Sequence, residues 1–124
     1  MLPLLTRSPV GRTVLLAQFS ARPWRVPANA ALEELRSYAA APSFDAALRE
    51  LVQGPPQQGA PRGSARGPIV IGWGRRDWVC FPPQAKRAAE RFPDARLHWF
   101  EACGHFPHWD VPEEAVRLIL ASTG

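Results

Sequence analysis

Residues 68–77 read PIVIGWGRRD, and residues 103–107 read CGHFP. The first segment opens with a continuous apolar run rich in β-branched residues, which is typical of a strand buried on both faces of a parallel sheet. It ends in a turn at Asp77. The second segment follows another strand-like run at residues 95–101 and contains His105. Each potentially catalytic side chain therefore lies just beyond the end of a predicted strand.

The segments around these strands have helical spacing. Residues 83–92 start with a proline and precede another, which favours a helix between the two strands. Asp110 and Glu113 are in a capping-box arrangement, so we predict that the last helix begins at Asp110. The order strand, acid turn, helix, strand, histidine loop, helix predicts a right-handed crossover between parallel strands. Asp77 and His105 should then lie at the same, carboxyl edge of the sheet.

The N-terminal half is predicted to be helical. Residues 29–40 and 44–52 form two short amphipathic helices, and Ser43 is placed to cap the second one. A weaker pattern favours a helix over residues 12–19, whereas the prolines of residues 22–27 indicate a loop or extended segment. The apolar stripes of these helices need a surface to cover, and no other part of this half provides one.

A segment rich in proline and glycine divides the chain. We therefore interpret residues 1–53 as a helical cap or lid segment, residues 54–67 as a flexible linker, and residues 68–124 as the α/β core segment. Ser64 lies between Gly63 and Ala65 in the linker. A nucleophile elbow requires a strand before the serine and a helix after it, and this position has neither.

Composition narrows the possible classes of function. With 46% hydrophobic and 21% charged residues, the chain is globular rather than disordered. Its net charge of +4 comes from scattered arginines without a nucleic-acid motif, so we expect no nucleic-acid partner. Two cysteines do not form a secreted disulfide framework, which favours a reducing cytoplasm. No apolar run approaches the ~20 residues of a membrane span, so we expect no membrane partner.

An aspartate beside a histidine has a definite role in acyl transfer. The carboxylate holds the proton of one ring nitrogen and stabilises the imidazolium that forms when the other nitrogen takes the nucleophile's proton. From residue 67 to the C-terminus, the strand ending at Asp77, the Gly104-His105 pair and the helix start at residues 110–113 resemble the C-terminal end of an α/β-hydrolase-fold enzyme. The resemblance implies that Asp77 is the triad acid and His105 the general base. It also implies a small-molecule substrate and no cofactor.

The resemblance implies a partial α/β-hydrolase fold: two parallel strands with flanking helices, preceded by a helical lid segment. In this family the nucleophile lies upstream in a Gly-x-Ser-x-Gly elbow, which the chain lacks. We therefore expect an N-terminally truncated chain that is inactive alone and self-associates through its exposed sheet edge. The alternative is a pseudo-enzyme that acts only as a binding partner. None of the serines has the context of an elbow: Ser8, Ser20, Ser37, Ser43, Ser64 and Ser122.

Four aromatic residues lie beside the acid and the histidine in the sequence: Trp78, Phe81, Phe106 and Trp109. They either form the wall of an apolar substrate pocket, which would favour small hydrophobic esters or related substrates, or pack the loops onto the sheet. Both interpretations remain open from the sequence.

Two other site chemistries compete with the hydrolase hypothesis. Cys80 and Cys103 flank the acid and histidine sites, but neither is in an elbow upstream of the acid, so both are better explained as small buried hydrophobes. A metal site could use the potential ligands Cys103, His105, His108 and Asp110. Their spacing matches no usual zinc pattern, and we expect no metal.

Overall fold

The computed structural model describes residues 1–123, which form an α/β arrangement of helices around a two-stranded parallel sheet. The α/β class predicted from the sequence is therefore confirmed. The elements in chain order are α1 (Leu2–Arg7), α2 (Pro9–Leu16), α3 (Ala28–Ala40), α4 (Phe44–Gln53), β1 (Ile69–Gly74), α5 (Pro82–Arg91), β2 (Ala95–Phe100), α6 (Pro107–Asp110) and α7 (Pro112–Thr123).

The sheet places both strand ends at one edge. Ile69 of β1 aligns with Ala95 of β2, and Gly74 aligns with Phe100, in parallel register. The pairing extends into the following turns, because the Arg75 amide donates to the Phe100 carbonyl at 3.0 Å. The turn after β1 and the loop after β2 consequently leave the sheet side by side.

The N-terminal helices pack around the loop that follows β2. Leu16, Val26 and Ala31 form a buried cluster, with Ala31 contributed by α3. Phe19 and Trp109 pack against it. Because Trp109 follows β2 in the chain, the segment that contains α2 and α3 shares a core with the C-terminal segment.

Helix α4 is the least covered of these helices. It begins at Phe44 as expected, but the Ser43 side chain makes no capping hydrogen bond, so that part of the prediction is wrong. Four apolar side chains on or near this helix are exposed: Phe44, Leu48, Leu51 and Val52. The helix therefore presents an apolar surface to solvent.

Two other N-terminal predictions also need correction. The helix expected over residues 12–19 instead spans Pro9–Leu16, because the Ser8 side chain accepts a hydrogen bond from the Gly11 amide and proline occupies the first turn. Residues 22–27 contain a short 3-10 turn, Pro23–Arg25, rather than only loop or extended backbone. Helix α1 was not predicted, since its six residues are too few for a clear periodic pattern.

Residues 54–67 contain no helix or strand, but they contact the helix between the strands. The Ala60 amide donates to the Arg91 carbonyl at 3.0 Å, and the Arg91 guanidinium donates to the Gln57 carbonyl at 3.0 Å. These contacts tie the middle of the segment to the end of α5. Across residues 1–123, no helix has the length and apolar character needed to cross a bilayer.

Candidate functional site

Asp77 lies in the turn that follows β1, and its side chain is held from two directions. One carboxylate oxygen, Oδ1, accepts hydrogen bonds from the amides of Val79 at 2.8 Å and Cys80 at 2.9 Å. This Asx-type turn fixes the rotation of the carboxylate. The residue is only 6% exposed, and its second oxygen, Oδ2, is directed towards the loop after β2.

His105 lies in that loop, with its Nδ1 atom 2.9 Å from Oδ2 of Asp77. An ionised carboxylate can only accept hydrogen bonds, so Nδ1 carries the proton and Nε2 is left to accept one. The histidine side chain retains 28% of its accessible surface. The structure thus brings together the two residues that the sequence places at the ends of parallel strands, with one imidazole nitrogen bound to the acid.

The histidine loop is fixed by the segment between α2 and α3. The carbonyl of Phe19 accepts hydrogen bonds from the amides of His105 at 2.8 Å and Phe106 at 3.1 Å. We call residues 19–22 the strap, because their hydrogen bonds attach them to the histidine loop and to Asp110. The strap therefore sets the backbone position of His105 from a region about 85 residues away in sequence.

Asp110 joins the strap to the histidine loop. Its Oδ2 accepts from the amides of Gly104 at 2.7 Å and Ala21 at 2.8 Å, while its Oδ1 accepts from the Ser20 hydroxyl at 2.5 Å. The carboxylate is 7% exposed. The prediction that Asp110 begins the last helix is wrong, because α7 begins at Pro112 and the Asp110 side chain is already bound to other backbone groups.

Two glycines, Gly74 and Gly104, allow close contact between the turn that follows β1 and the loop that follows β2. A side-chain carbon on Gly74 would collide with the carbonyl oxygen of Gly104, and one on Gly104 would lie 2.9 Å from the carbonyl oxygen of Phe19. Both positions are buried between backbone segments. Glycine is therefore required here for close backbone approach, which brings the two strand ends near enough for Asp77 to reach His105.

Phe106 belongs to a row of aromatic rings that runs from α4 to the histidine. Successive ring centroids lie 5.9 Å apart for Phe44 and Tyr38, 6.4 Å for Tyr38 and Phe19, 5.6 Å for Phe19 and Phe106, and 4.9 Å for Phe106 and His105. Offset and tilted contacts of this kind stabilise packing. The row connects the N-terminal helices to the imidazole of His105.

The four aromatic residues predicted near the site do not form a common wall. Trp78 and Phe81 contact each other edge to face at 6.5 Å and are 68% and 53% exposed. Phe106 and Trp109 instead pack towards the N-terminal helices, and their rings are 4.9 Å apart. None of the four lines the small cavity of about 210 Å³ next to the acid and histidine, whose lining residues are Gly72, Trp73, Gly74, Asp77, Cys80, His105 and Pro107.

Neither cysteine has the environment of a reactive thiolate. Burial raises the pKa of Cys103 to about 12, with the Asp110 charge adding to the effect, and its thiol lies 3.2 Å from the Gly104 carbonyl oxygen. Burial and the charge of Asp77 also raise the pKa of Cys80. Both thiols therefore remain protonated at neutral pH, which disfavours a cysteine nucleophile.

The metal ligand set considered from the sequence does not come together. Within residues 1–123, the potential ligand atoms of Cys103, His105, His108 and Asp110 form no common cluster. No serine hydroxyl in this range is hydrogen-bonded to His105 either; Ser20 binds Asp110, and Ser64 binds the Pro61 carbonyl. The site thus contains an acid and a base, with the reactive nitrogen of the base left without a serine partner.

Sequence comparison relates about half of the chain to known enzymes. The chain is 32% identical over 65 residues to a 2-hydroxy-6-oxononadienedioate/2-hydroxy-6-oxononatrienedioate hydrolase from Pseudomonas putida, covering 52% of this chain and 23% of that enzyme. It is 31% identical over 58 residues to a 2-hydroxy-6-oxo-6-phenylhexa-2,4-dienoate hydrolase from Burkholderia cepacia, covering 47% and 20%. The chain therefore spans less than a quarter of the length of these relatives. No protein-family model matches it.

Structural comparison extends the likeness to nearly the whole chain. The fold matches the crystal structure of a membrane phospholipase A, described as a bacterial virulence factor, with a TM-score of 0.65 and 24% sequence identity. The match covers 96% of this chain and 39% of that protein. The predicted resemblance to part of an α/β-hydrolase-fold enzyme is confirmed by the relatives in sequence and by this match in fold.

Proposed function

We propose that this chain, which is similar to the C-terminal part of an α/β-hydrolase-fold enzyme, provides the acid and the general base of a serine-type hydrolase site. Asp77 orients the imidazole, and His105 accepts the proton of the nucleophile. The observation that carries the proposal is the 2.9 Å contact between Asp77 Oδ2 and His105 Nδ1 at the carboxyl edge of parallel strands. Open α/β folds place their sites at this edge.

The geometry supports a specific order of proton transfers. Asp77 keeps the Nδ1 proton in place, so Nε2 is the nitrogen that takes the serine proton as the hydroxyl attacks the substrate carbonyl. The resulting imidazolium is stabilised by the adjacent carboxylate and then donates its Nε2 proton to the leaving group. Because the amides of Val79 and Cys80 hold the other carboxylate oxygen, Asp77 remains aligned throughout the cycle.

The nucleophile is the missing member of the proposed triad. The 124 residues contain no Gly-x-Ser-x-Gly elbow. We propose that the serine lies in polypeptide outside this sequence, in an elbow upstream of residue 1, and that this chain alone does not hydrolyse substrate. An acid and a base without a nucleophile would lack the covalent step of the mechanism.

The proposed substrates are small hydrophobic esters or related carbonyl compounds. The names of the two relatives describe hydrolases of hydroxy-oxo-dienoates, which are small carbonyl-containing acids. The exposed edge-to-face pair Trp78 and Phe81 supplies apolar surface on the turn that holds the acid. We further propose that the helices of residues 1–53 act as a lid, since the aromatic row runs from α4 to the imidazole.

The DNA upstream of the Met1 codon provides the first test. An in-frame elbow there is expected, and the extended protein should hydrolyse a short-chain p-nitrophenyl ester while the 124-residue chain does not. His105→Ala and Asp77→Asn should each lower kcat about 10⁴-fold in the extended protein. His98→Ala is the matched control, because His98 lies in β2 and pairs with Glu114 at 2.9 Å, away from Asp77.

Two results would contradict the proposal. Near-normal turnover in the His105 or Asp77 variant of an active extended protein would show that these residues are not the base and the acid. An upstream region interrupted by stop codons would remove the nucleophile altogether. That second result would favour the non-catalytic binding role considered from the sequence.

A further inference from the structure

We propose that Asp77, Cys80 and His105 form a binding site for a thiophilic divalent cation such as Zn²⁺, located in the small cavity at the carboxyl edge of the sheet. One carboxylate oxygen, one thiol sulfur and one imidazole nitrogen all lie within 4.8 Å of one another. Carboxylate, thiolate and imidazole are the three ligand types that Zn²⁺ uses in proteins. This set shares only His105 with the one considered from the sequence, since Asp77 and Cys80 replace Cys103, His108 and Asp110.

The spacing of the three ligand atoms suits a tetrahedral cation whose fourth coordination position is open to another ligand. Zinc binds sulfur at about 2.3 Å and nitrogen or oxygen at about 2.0–2.2 Å, so tetrahedral ligand atoms lie between about 3 and 4 Å apart. Asp77 Oδ2 and His105 Nδ1 are 2.9 Å apart, and a proton now bridges them. A cation would replace that proton after small side-chain shifts. The cavity of about 210 Å³ that these three residues line leaves room for a water molecule as the fourth ligand.

The backbone prepares Cys80 for this role. Asp77 and Cys80 are three residues apart, and the Cys80 amide donates to Oδ1 of Asp77 at 2.9 Å. That turn places both side chains on the same side and leaves Oδ2 of Asp77 for the cation. In the metal-free chain, burial and the charge of Asp77 raise the pKa of Cys80, and a bound dication would offset both effects.

Binding has a defined proton balance. The Cys80 thiol loses its proton to solvent on forming the metal–sulfur bond. At His105, the Nδ1 proton leaves and Nε2 takes one up, so the neutral ring changes tautomer without a net change in charge. One proton is released per cation bound. The tautomer change would also inhibit hydrolysis, because a protonated Nε2 cannot act as the base; this consequence rests on the proposed function.

The test uses the 124-residue chain with Co²⁺ as a spectroscopic probe and Zn²⁺ as a competitor. We expect a thiolate-to-cobalt charge-transfer band at one equivalent, lost on addition of Zn²⁺, and release of one proton per ion. Cys80→Ser should abolish the band and weaken Zn²⁺ binding at least tenfold. Cys103→Ser is the matched control and should retain both, because the Cys103 thiol lies against the Gly104 carbonyl instead.

A second measurement separates this site from adventitious binding. The ¹⁵N shifts of the His105 ring should show the proton on Nδ1 without Zn²⁺ and on Nε2 with it. Unchanged His105 shifts, a band that persists in Cys80→Ser, or a band lost only in Cys103→Ser would each overturn the proposal. None of these readouts requires turnover, so failure of the metal site and failure of the hydrolase proposal are distinguishable.

Discussion

Replacing Asp110 tests whether the strap and the histidine loop are held together by this carboxylate. In Asp110→Asn the side chain keeps its shape, but one oxygen becomes an amide group that can only donate. The new amide group costs less when it faces Ser20 than when it faces the backbone amides of Ala21 and Gly104. The Ser20 hydroxyl can rotate to accept a hydrogen bond, whereas a backbone N–H can only donate. The remaining oxygen then still accepts from the amides of Ala21 and Gly104, although without the negative charge. Asp110→Ala removes all three acceptor contacts.

The two substitutions differ in expected magnitude. Hydrogen bonds to a charged group contribute about 1.5–3 kcal/mol and are roughly twice as strong as neutral ones, so Asp110→Asn should lower the free energy of unfolding by about 2 kcal/mol. Asp110→Ala leaves three donors without a partner, each costing about 1–3 kcal/mol if it stays dry, so a loss of at least about 3 kcal/mol is expected. Asp45→Ala, at an exposed position on α4, should stay within about 0.5 kcal/mol of the unchanged chain.

Urea unfolding followed by circular dichroism, at one protein concentration for all variants, measures these differences. In Asp110→Ala, amide hydrogen exchange at Gly104 and Ala21 should accelerate in parallel, since both amides lose the carboxylate that accepts their hydrogen bonds. Equal midpoints for Asp110→Ala and the unchanged chain would refute the reasoning. So would equal losses in the Asn and Ala variants, because asparagine retains an acceptor for the buried donors and alanine does not.

The remaining predictions concern the glycine contact, the buried thiol and the sheet edge. Gly74→Ala should destabilise the chain by about 2 kcal/mol, because its side-chain carbon collides with the Gly104 backbone, whereas Gly67→Ala has open space and should be tolerated; thermal unfolding compares them. The pKa of Cys103 rises from 9.0 in the unfolded chain to about 12 in the folded chain, so between these pH values only the unfolded thiol loses its proton. The free energy of unfolding should therefore fall as the pH rises from 9.0 to about 12, and it should fall less in Cys103→Ala. Sedimentation should show that the chain self-associates as its concentration rises, through the exposed edge of the two-stranded sheet. A monomer at every concentration would contradict this.

The strands and their connection could be predicted because their signals are local. A β-branched apolar run, a turn and a helix with prolines at both ends fix β1 and α5 within a residue or two. The parallel crossover then follows from general chain geometry, and it places Asp77 and His105 at one edge. Their hydrogen bond depends on these two strand ends and on the small residues that let the turn and loop approach, but also on the strap, which the local signals do not reveal.

The role of Asp110 could not be predicted, because its partners are remote. Followed by a valine, a proline and two glutamates, it has the local pattern of a helix cap, and that pattern favours the wrong interpretation. Its actual donors are Ser20 and Ala21, about 90 residues earlier, and the amide of Gly104. No periodicity or motif relates these positions. Tertiary contacts decide where the carboxylate binds, and α7 starts two residues later as a result.

The placement of the strap changes how the N-terminal segment relates to the site. From the sequence, residues 1–53 are a cover lying over a site built by the strands. In the structure, the Phe19 carbonyl binds the His105 amide, and Asp110 binds both the strap and Gly104. A displacement of the strap would therefore move the backbone of the proposed base itself. The turn that holds Asp77 is tied to the same loop, because the Arg76 amide donates to the Cys103 carbonyl at 2.9 Å. The strap and this turn therefore both hold the histidine loop, which couples the position of the N-terminal helices to the geometry of the acid–histidine pair.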